Sequence, residues 1–204
     1  MPEPKPETNQ TVLPTRRNFL TTAALGTGVL IASTSISSAF LFRSAPPVKL
    51  TGLPASWVEA QGNSLDSYAK YLQSLDLKQV TIQQVISAHA RRKGSVWNTL
   101  PPRSMWRNLG ATLQVADKIA ITLGRPLKEV TSAYRSPAYN RRCPGAKSHS
   151  YHMKNVAMDL QFDSSPSTVA KVARQLRNHG YFKGGIGRYG SFTHVDTRGS
   201  NVDW

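Results

Sequence analysis

The strongest constraint on the fold is a switch in hydrophobic period near Glu129. Upstream of it, apolar residues recur at helical spacing. Between residues 104 and 123 they fall at Met105, Trp106, Leu109, Leu113, Ala116, Ile119, Ala120 and Leu123, the stripe of a long amphipathic helix. Gly124 and Pro126 stop it. Tyr68, Ala69, Tyr71, Leu72 and Leu75 mark a shorter helix over residues 66–75, and Thr81-Ile82-Gln83-Gln84 is a capping box opening another that runs to about Arg92. Downstream the period falls to two. Residues 130–134 read as a short strand, 156–162 as a strand with clean alternation, and 191–197 as a final strand. Between the last two, Ser165-Pro166 opens a helix with proline at its first position, ending near Asn178 before Gly180. Residues 135–149 and Gly184-Gly185-Ile186-Gly187 read as loops. Helices first, then strands with a helix among them, give an α+β class: a helical N-terminal part followed by a small antiparallel sheet with helices.

The 204 residues suffice for one domain plus a leader. Thr15-Arg16-Arg17-Asn18-Phe19-Leu20 is a twin-arginine pair before an apolar start, and no charge occurs from Asn18 to Phe42. Eight Ser/Thr and two Gly dilute that uncharged run. The order is that of an export signal, and it resembles the bacterial twin-arginine translocation signal. Residues 1–42 are therefore expected to be a signal peptide, with Ser37-Ser38-Ala39 offering small residues for cleavage before Phe40. Residues 43–64, holding Pro46, Pro47, Gly52, Pro54 and Gly62, read as a linker, and 65–204 as a single domain. Within that domain, 65–126 is the helical part and 127–204 the strand-bearing core. The expected location is the periplasm or cell envelope, with the twin-arginine export machinery as a partner and no stable membrane span after processing. A single cysteine, Cys143, excludes an intramolecular disulfide.

Charge narrows the partners. The chain carries +15, and without residues 1–44 it keeps 22 basic and 9 acidic residues, a balance of +13. Such a balance favours a polyanion: nucleic acid, anionic lipid or an acidic wall polymer. The basic residues are scattered, with only small clusters at Arg91-Arg92-Lys93 and Arg141-Arg142, and this pattern with an export leader argues against nucleic acid. The Gly184–Gly187 run precedes a strand, so it lacks the strand-to-helix context of a dinucleotide-binding loop.

Two C-terminal segments carry the chemistry: residues 150–159, Ser-Tyr-His-Met-Lys-Asn-Val-Ala-Met-Asp, and 192–196, Phe-Thr-His-Val-Asp. Strand alternation puts Val156, Met158, Leu160 and Phe162 on one face and Ala157, Asp159 and Gln161 on the other. Phe192, His194 and Asp196 share a face. If the two strands are neighbours, His194 meets Asp159 across the ladder, and His152 folds back over Asp159 after a turn at Lys154-Asn155. Two histidines and a carboxylate suit one Zn2+ ion with a position left open for water, the usual make-up of a catalytic site. Cys143, nine residues before His152, reads as a half-buried thiol rather than a further ligand, and His89 as a surface or packing residue.

Five separated motifs then agree in order with a known family. They are Ser132-Ala133-Tyr134-Arg135-Ser136-Pro137-Ala138-Tyr139-Asn140; Ser150-x-His152; Ala157-x-Asp159; Gly184-Gly185-Ile186-Gly187-x-Tyr189; and Phe192-x-His194-Val195-Asp196. Over about residues 97–204 the chain resembles the zinc D-alanyl-D-alanine carboxypeptidases and related murein endopeptidases. The resemblance implies their small α+β fold, shared with hedgehog signalling domains, and hydrolysis of amide bonds in peptidoglycan peptides. It makes His152, Asp159 and His194 the zinc ligands. It gives Arg135 to the substrate's carboxylate or carbonyl, for which a planar guanidinium is suited, and places Ser150 and Tyr189 against the substrate. Two departures stand out. Many members carry an acidic general base three positions before the last histidine, and here that position is Ser191. Asp196 is the nearest substitute as base, or else it orients His194. Asn155 replaces a usual glycine, and asparagine tolerates left-handed backbone better than other side-chain-bearing residues. His149 is a donor or rim residue. The alternative to an enzyme is a catalytically inactive, zinc-containing protein that binds peptidoglycan.

Overall fold

A computed structural model describes residues 46–204. The twin-arginine signal expected over residues 1–42 lies outside the described residues. Among the described residues, no helix is long and apolar enough to cross a membrane.

The segment read as a linker begins the fold instead. Pro54 starts helix α1 (Ala55–Gln61), and Trp57 within it is only 1% exposed, with its indole N–H donating to the Asn98 carbonyl at 2.7 Å. An aromatic anchor of this size outweighs the turn-forming signals around it. Helix α2 (Asn63–Gln73) buries Leu65, Tyr68, Ala69 and Leu72, the expected helical stripe. The capping box forms as read: Thr81 accepts from the Gln84 amide, and the Gln84 side chain accepts from the Thr81 amide. Helix α3 (Ile82–His89) stops short of Arg92, because Gly94, at φ 59°, turns the chain into a hairpin of β1 (Arg92–Lys93) and β2 (Val96–Trp97). A single 3-10 turn then leads into α4 (Trp106–Leu123), capped by Gly124 in left-handed geometry. Asp117, buried on α4, accepts from the amides of Lys78, Gln79 and Val80, so its charge is met by the loop that it holds.

The second half forms a five-stranded sheet. Its strands are β3 (Leu127–Ser132), β4 (Ala157–Phe162), β5 (Gly185–Arg188), β6 (Thr193–Asp196) and β7 (Val202–Asp203), in the order β3-β4-β6-β5-β7. All neighbours are antiparallel except the β5–β7 pair. Two short-range helices complete it, α5 (Pro137–Asn140) and α6 (Pro166–Asn178). The class is α+β, as the order of patterns implies.

A further expectation is overturned. Gly184–Gly187 is not a loop; from Gly185 onward it is β5, the strand between β6 and β7. The glycines serve close approach rather than turning. A Cβ at Gly184 would lie 1.7 Å from the Asp196 carbonyl oxygen, and one at Gly187 would lie 2.5 Å from the Trp204 ring.

Register sets the two faces of the sheet. Met158, Val195 and Ile186 align across three strands and join the buried core with Leu109 and Leu113 of α4 and Val169 and Ala173 of α6. On the alternate positions, Ser132, Asp159, His194 and Gly187 form one continuous cross-strand row, and Ala157 pairs Asp196 beside it. That row is the floor of the site.

Candidate metal centre

Three side chains converge on this floor. Asp159 and His194 are direct partners in the β4–β6 ladder, the meeting expected if the two strands were neighbours. His152 reaches them from the turn before β4. Asn155 makes that turn at φ 56°, fully buried, and its side-chain amide donates to the Met105 carbonyl at 2.9 Å. The left-handed residue expected there is thus an asparagine whose side chain also ties the turn to the start of α4. The His152 carbonyl accepts from the amides of Arg135 and Asn155, which fixes its backbone.

The available lone pairs face one another. His152 Nδ1–H donates to the Ala133 carbonyl at 2.7 Å, leaving Nε2, 3.3 Å from Asp159 Oδ1. His194 Nε2–H donates to Asp196 Oδ2 at 3.0 Å, leaving Nδ1, 2.8 Å from the same Asp159 oxygen. Potential ligand atoms from the three residues lie within 4.8 Å of one another, and all three residues are buried. One oxygen and two imidazole nitrogens, each imidazole aimed by a hydrogen bond from its far nitrogen, are the donor set and orientation that a zinc ion takes. The residues fit the metal.

Electrostatics follow from this packing. Burial alone would raise the Asp159 pKa, but His152 and His194 hold its carboxyl well below the usual carboxylate range. Burial pushes His152 down, opposed by Asp159. Burial also presses on His194, but the carboxylates of Asp159 and Asp196 against its two nitrogens outweigh this and raise it.

The remaining expected residues fall into three positions. Arg135 is inside the site: Nη2 donates to Asp159 Oδ2 at 2.7 Å and Nε to Ser132 Oγ at 2.7 Å. Asp196 lies behind His194 with no exposed surface. Its carboxylate accepts from the Gly185 amide, from the Arg198 amide and guanidinium, and from His194. Burial raises its pKa, yet Arg198 and His194 hold it far below the carboxylate range. Ser150 and Tyr189 line a cavity of about 540 Å³ above the three converging residues, together with Arg135, Lys147 and His149. Ser191 is exposed and is not part of that lining. Asp159 is the lining's sole carboxylate among the described residues. Cys143 is half-buried, contacts the Tyr139 carbonyl and takes no part in the cluster. His89 is a packing residue: fully buried, 3.2 Å from the Tyr68 hydroxyl, and pushed down by burial to about 4.

Sequence reasoning missed two residues. Arg198 clamps Asp196 and lies 3.9 Å over the Tyr151 ring, and Trp204 packs its ring 5.1 Å from that of His194. Arg198, two residues beyond Asp196, was within reach of an alternation argument. Trp204 stood out only as a lone aromatic in a polar tail.

The family model described as Peptidase M15 matches residues 75–196, more than half of the chain. The match begins in the helical part, well ahead of residue 97. It takes in His152, Asp159, His194 and Asp196 and stops before Arg198 and Trp204. No curated protein and no solved structure matches the chain.

Proposed function

The chain belongs to the peptidase M15 family, and we propose that it is a zinc-dependent peptidase of the cell envelope that hydrolyses amide bonds in peptidoglycan stem peptides or crosslinks. The observation that carries this reading is the convergence of His152 Nε2, Asp159 Oδ1 and His194 Nδ1 beneath an open, cation-rimmed cavity. The family supplies the peptidase chemistry. The wall substrate is supported by the surplus of basic residues, by the motif resemblance and by the leader, which would export the chain through the twin-arginine machinery to the periplasm.

A zinc ion held by these three residues supplies Lewis acidity toward a carbonyl and lowers the pKa of a water. The protein's own groups divide the remaining work. Arg135 keeps Asp159 single-sided, occupying Oδ2 so that Oδ1 faces the histidines, and its remaining N–H donors are placed for a substrate carbonyl or carboxylate. Lys147 adds positive charge at the rim. Ser150 holds the His152 amide through its hydroxyl, and Tyr189 forms part of the cavity wall. Of the two roles open to Asp196, we place it as the residue that orients His194. A fully buried carboxylate already accepting from an arginine, two amides and an imidazole is a poor proton acceptor. In this reading proton transfer falls to His149, exposed on the cavity lining, whose one side-chain partner is Ser148.

A second reading, a zinc protein that holds wall peptides without cutting them, draws on the same lining, where Asp159 is the sole carboxylate. Isolated peptidoglycan incubated with the purified protein separates the two. Hydrolysis predicts new muropeptides with zinc and none after chelation. Binding to peptidoglycan with an unchanged muropeptide profile would leave only the second.

A further inference from the structure

Beyond the metal ligands and Arg135, the cavity has an aromatic wall made of Trp204 and of Tyr189, which the resemblance sets against the substrate. Tyr189 is 44% exposed and Trp204 46%, and both line the cavity. Each ring is held by its neighbours. Tyr189 stacks on Phe192 with centroids 4.5 Å apart and 16° between planes. Trp204 lies over Gly187, where no side chain would fit beneath it, and against Arg198 and His194. The two rings are joined by the Trp204 Nε1–H donating to the Tyr189 oxygen at 2.8 Å. The tail that carries Trp204 is itself fixed. The Trp204 amide donates to the Ile186 carbonyl, the Arg188 amide donates to the Trp204 carbonyl, and Arg177 and Arg174 hold Asp203. The wall is therefore built before any ligand arrives, so little ordering entropy is lost on binding.

We propose that Tyr189 and Trp204 form a saccharide subsite, a platform for the pyranose ring of the amino sugar to which the stem peptide is attached. The inference rests on the peptidoglycan reading and deepens it: the substrate is then a sugar-bearing peptide rather than a free one. Stem-peptide side chains are mostly methyls, carboxylates and amines. The group on such a substrate that offers a broad C–H face to two adjoining, part-exposed aromatic rings is the sugar ring. The rings' polar edges are already hydrogen-bonded to each other, so their exposed faces are what remains for contact.

Two measurements test this. The first is kcat/KM on a crosslinked disaccharide-peptide against the same crosslinked peptide after enzymatic removal of its sugars. The platform predicts a preference of about tenfold for the sugar-bearing form, the size of one aromatic contact. In Tyr189→Ala that preference falls to near unity, and in Tyr189→Trp it is retained. Zinc content is followed in each variant, and Tyr189 rather than Trp204 is changed because the Trp204 ring packs on His194. Equal rates on both substrates in the wild type would overturn the subsite while leaving the peptidase reading intact. The second measurement is saturation-transfer NMR on the zinc-loaded protein with the peptide-free disaccharide, which offers no peptide bond to cut. Transfer to the sugar in the wild type, lost in Tyr189→Ala, is predicted, and no transfer in the wild type overturns the proposal. If neither peptide is cut, the peptidase reading fails, and this binding measurement alone decides the platform.

Discussion

Each histidine in the centre is aimed by the hydrogen bond on its other nitrogen, so substitutions should separate ligands from supports. Replacing His152, Asp159 or His194 by alanine is predicted to remove bound zinc, read by metal analysis, together with all hydrolysis. Asp196→Asn keeps the side chain's shape but weakens the hold on His194, and the predicted loss is about 10–100-fold in zinc affinity. His149→Ala should behave differently. Zinc content and KM stay close to wild type while kcat falls by about 10²-fold or more, the usual contribution of a proton-transfer group. A zinc affinity in Asp196→Asn equal to wild type, with kcat alone reduced, would move the proton-accepting role back to Asp196. Single residues were the most legible level of the sequence. Alternation put Asp159 and His194 on the site-facing sides of their strands, the adjacency of β4 and β6 then set them opposite, and asparagine's tolerance of left-handed backbone suits Asn155 to its turn. The role of Asp196 was not legible. It depends on Arg198 and on the Gly185 amide, whose contacts arise only when β5 lies against β6.

At the scale of elements, glycine marked close packing where composition suggested a turn. Gly184→Ala would drive a methyl into the Asp196 carbonyl, and the predicted cost is about 2 kcal/mol or more of unfolding free energy, with loss of zinc as β5 and β6 separate. Denaturant titration with metal analysis reads both. The helical half has its own signature. His89 sits fully buried beside Tyr68 and is pushed down by burial from 6.5 to about 4. The unfolded chain therefore binds this proton more readily than the folded one. Above about pH 6.5 neither state is protonated there and His89 has no effect; as the pH falls toward 4, stability drops by up to about 3 kcal/mol. His89→Gln keeps a partner for the Tyr68 hydroxyl and is predicted to flatten the stability profile between those values. An unchanged slope would show that other groups dominate acid unfolding. Helices α2, α3 and α4 and strands β4 and β6 were readable because period and caps agreed locally. Helix α1 and β5 were not, since each is fixed by distant partners, Trp57 by Asn98 and Gly187 by Trp204; the β1–β2 hairpin was not, because two-residue strands around Gly94 are too short to show a period.

For the whole molecule, one cysteine leaves no intramolecular disulfide to hold the fold, and the buried core carries that task, with the proposed metal adding to it once bound. Metal binding is then also stabilisation: adding zinc is predicted to raise the melting temperature, and the three ligand variants should lose that rise. The surplus of basic residues acts at longer range. Retention of the protein on isolated cell-wall polymer should weaken steadily as salt is raised from about 50 to about 500 mM, because screening shortens the reach of its charges. The most direct test of the account is anomalous diffraction at the zinc edge from crystals of the metal-loaded protein. The predicted result is a single strong peak bounded by His152 Nε2, Asp159 Oδ1 and His194 Nδ1, with His194 Nε2 still on Asp196. No peak at that point, or a peak held by His194 Nε2 and Asp196, would contradict it.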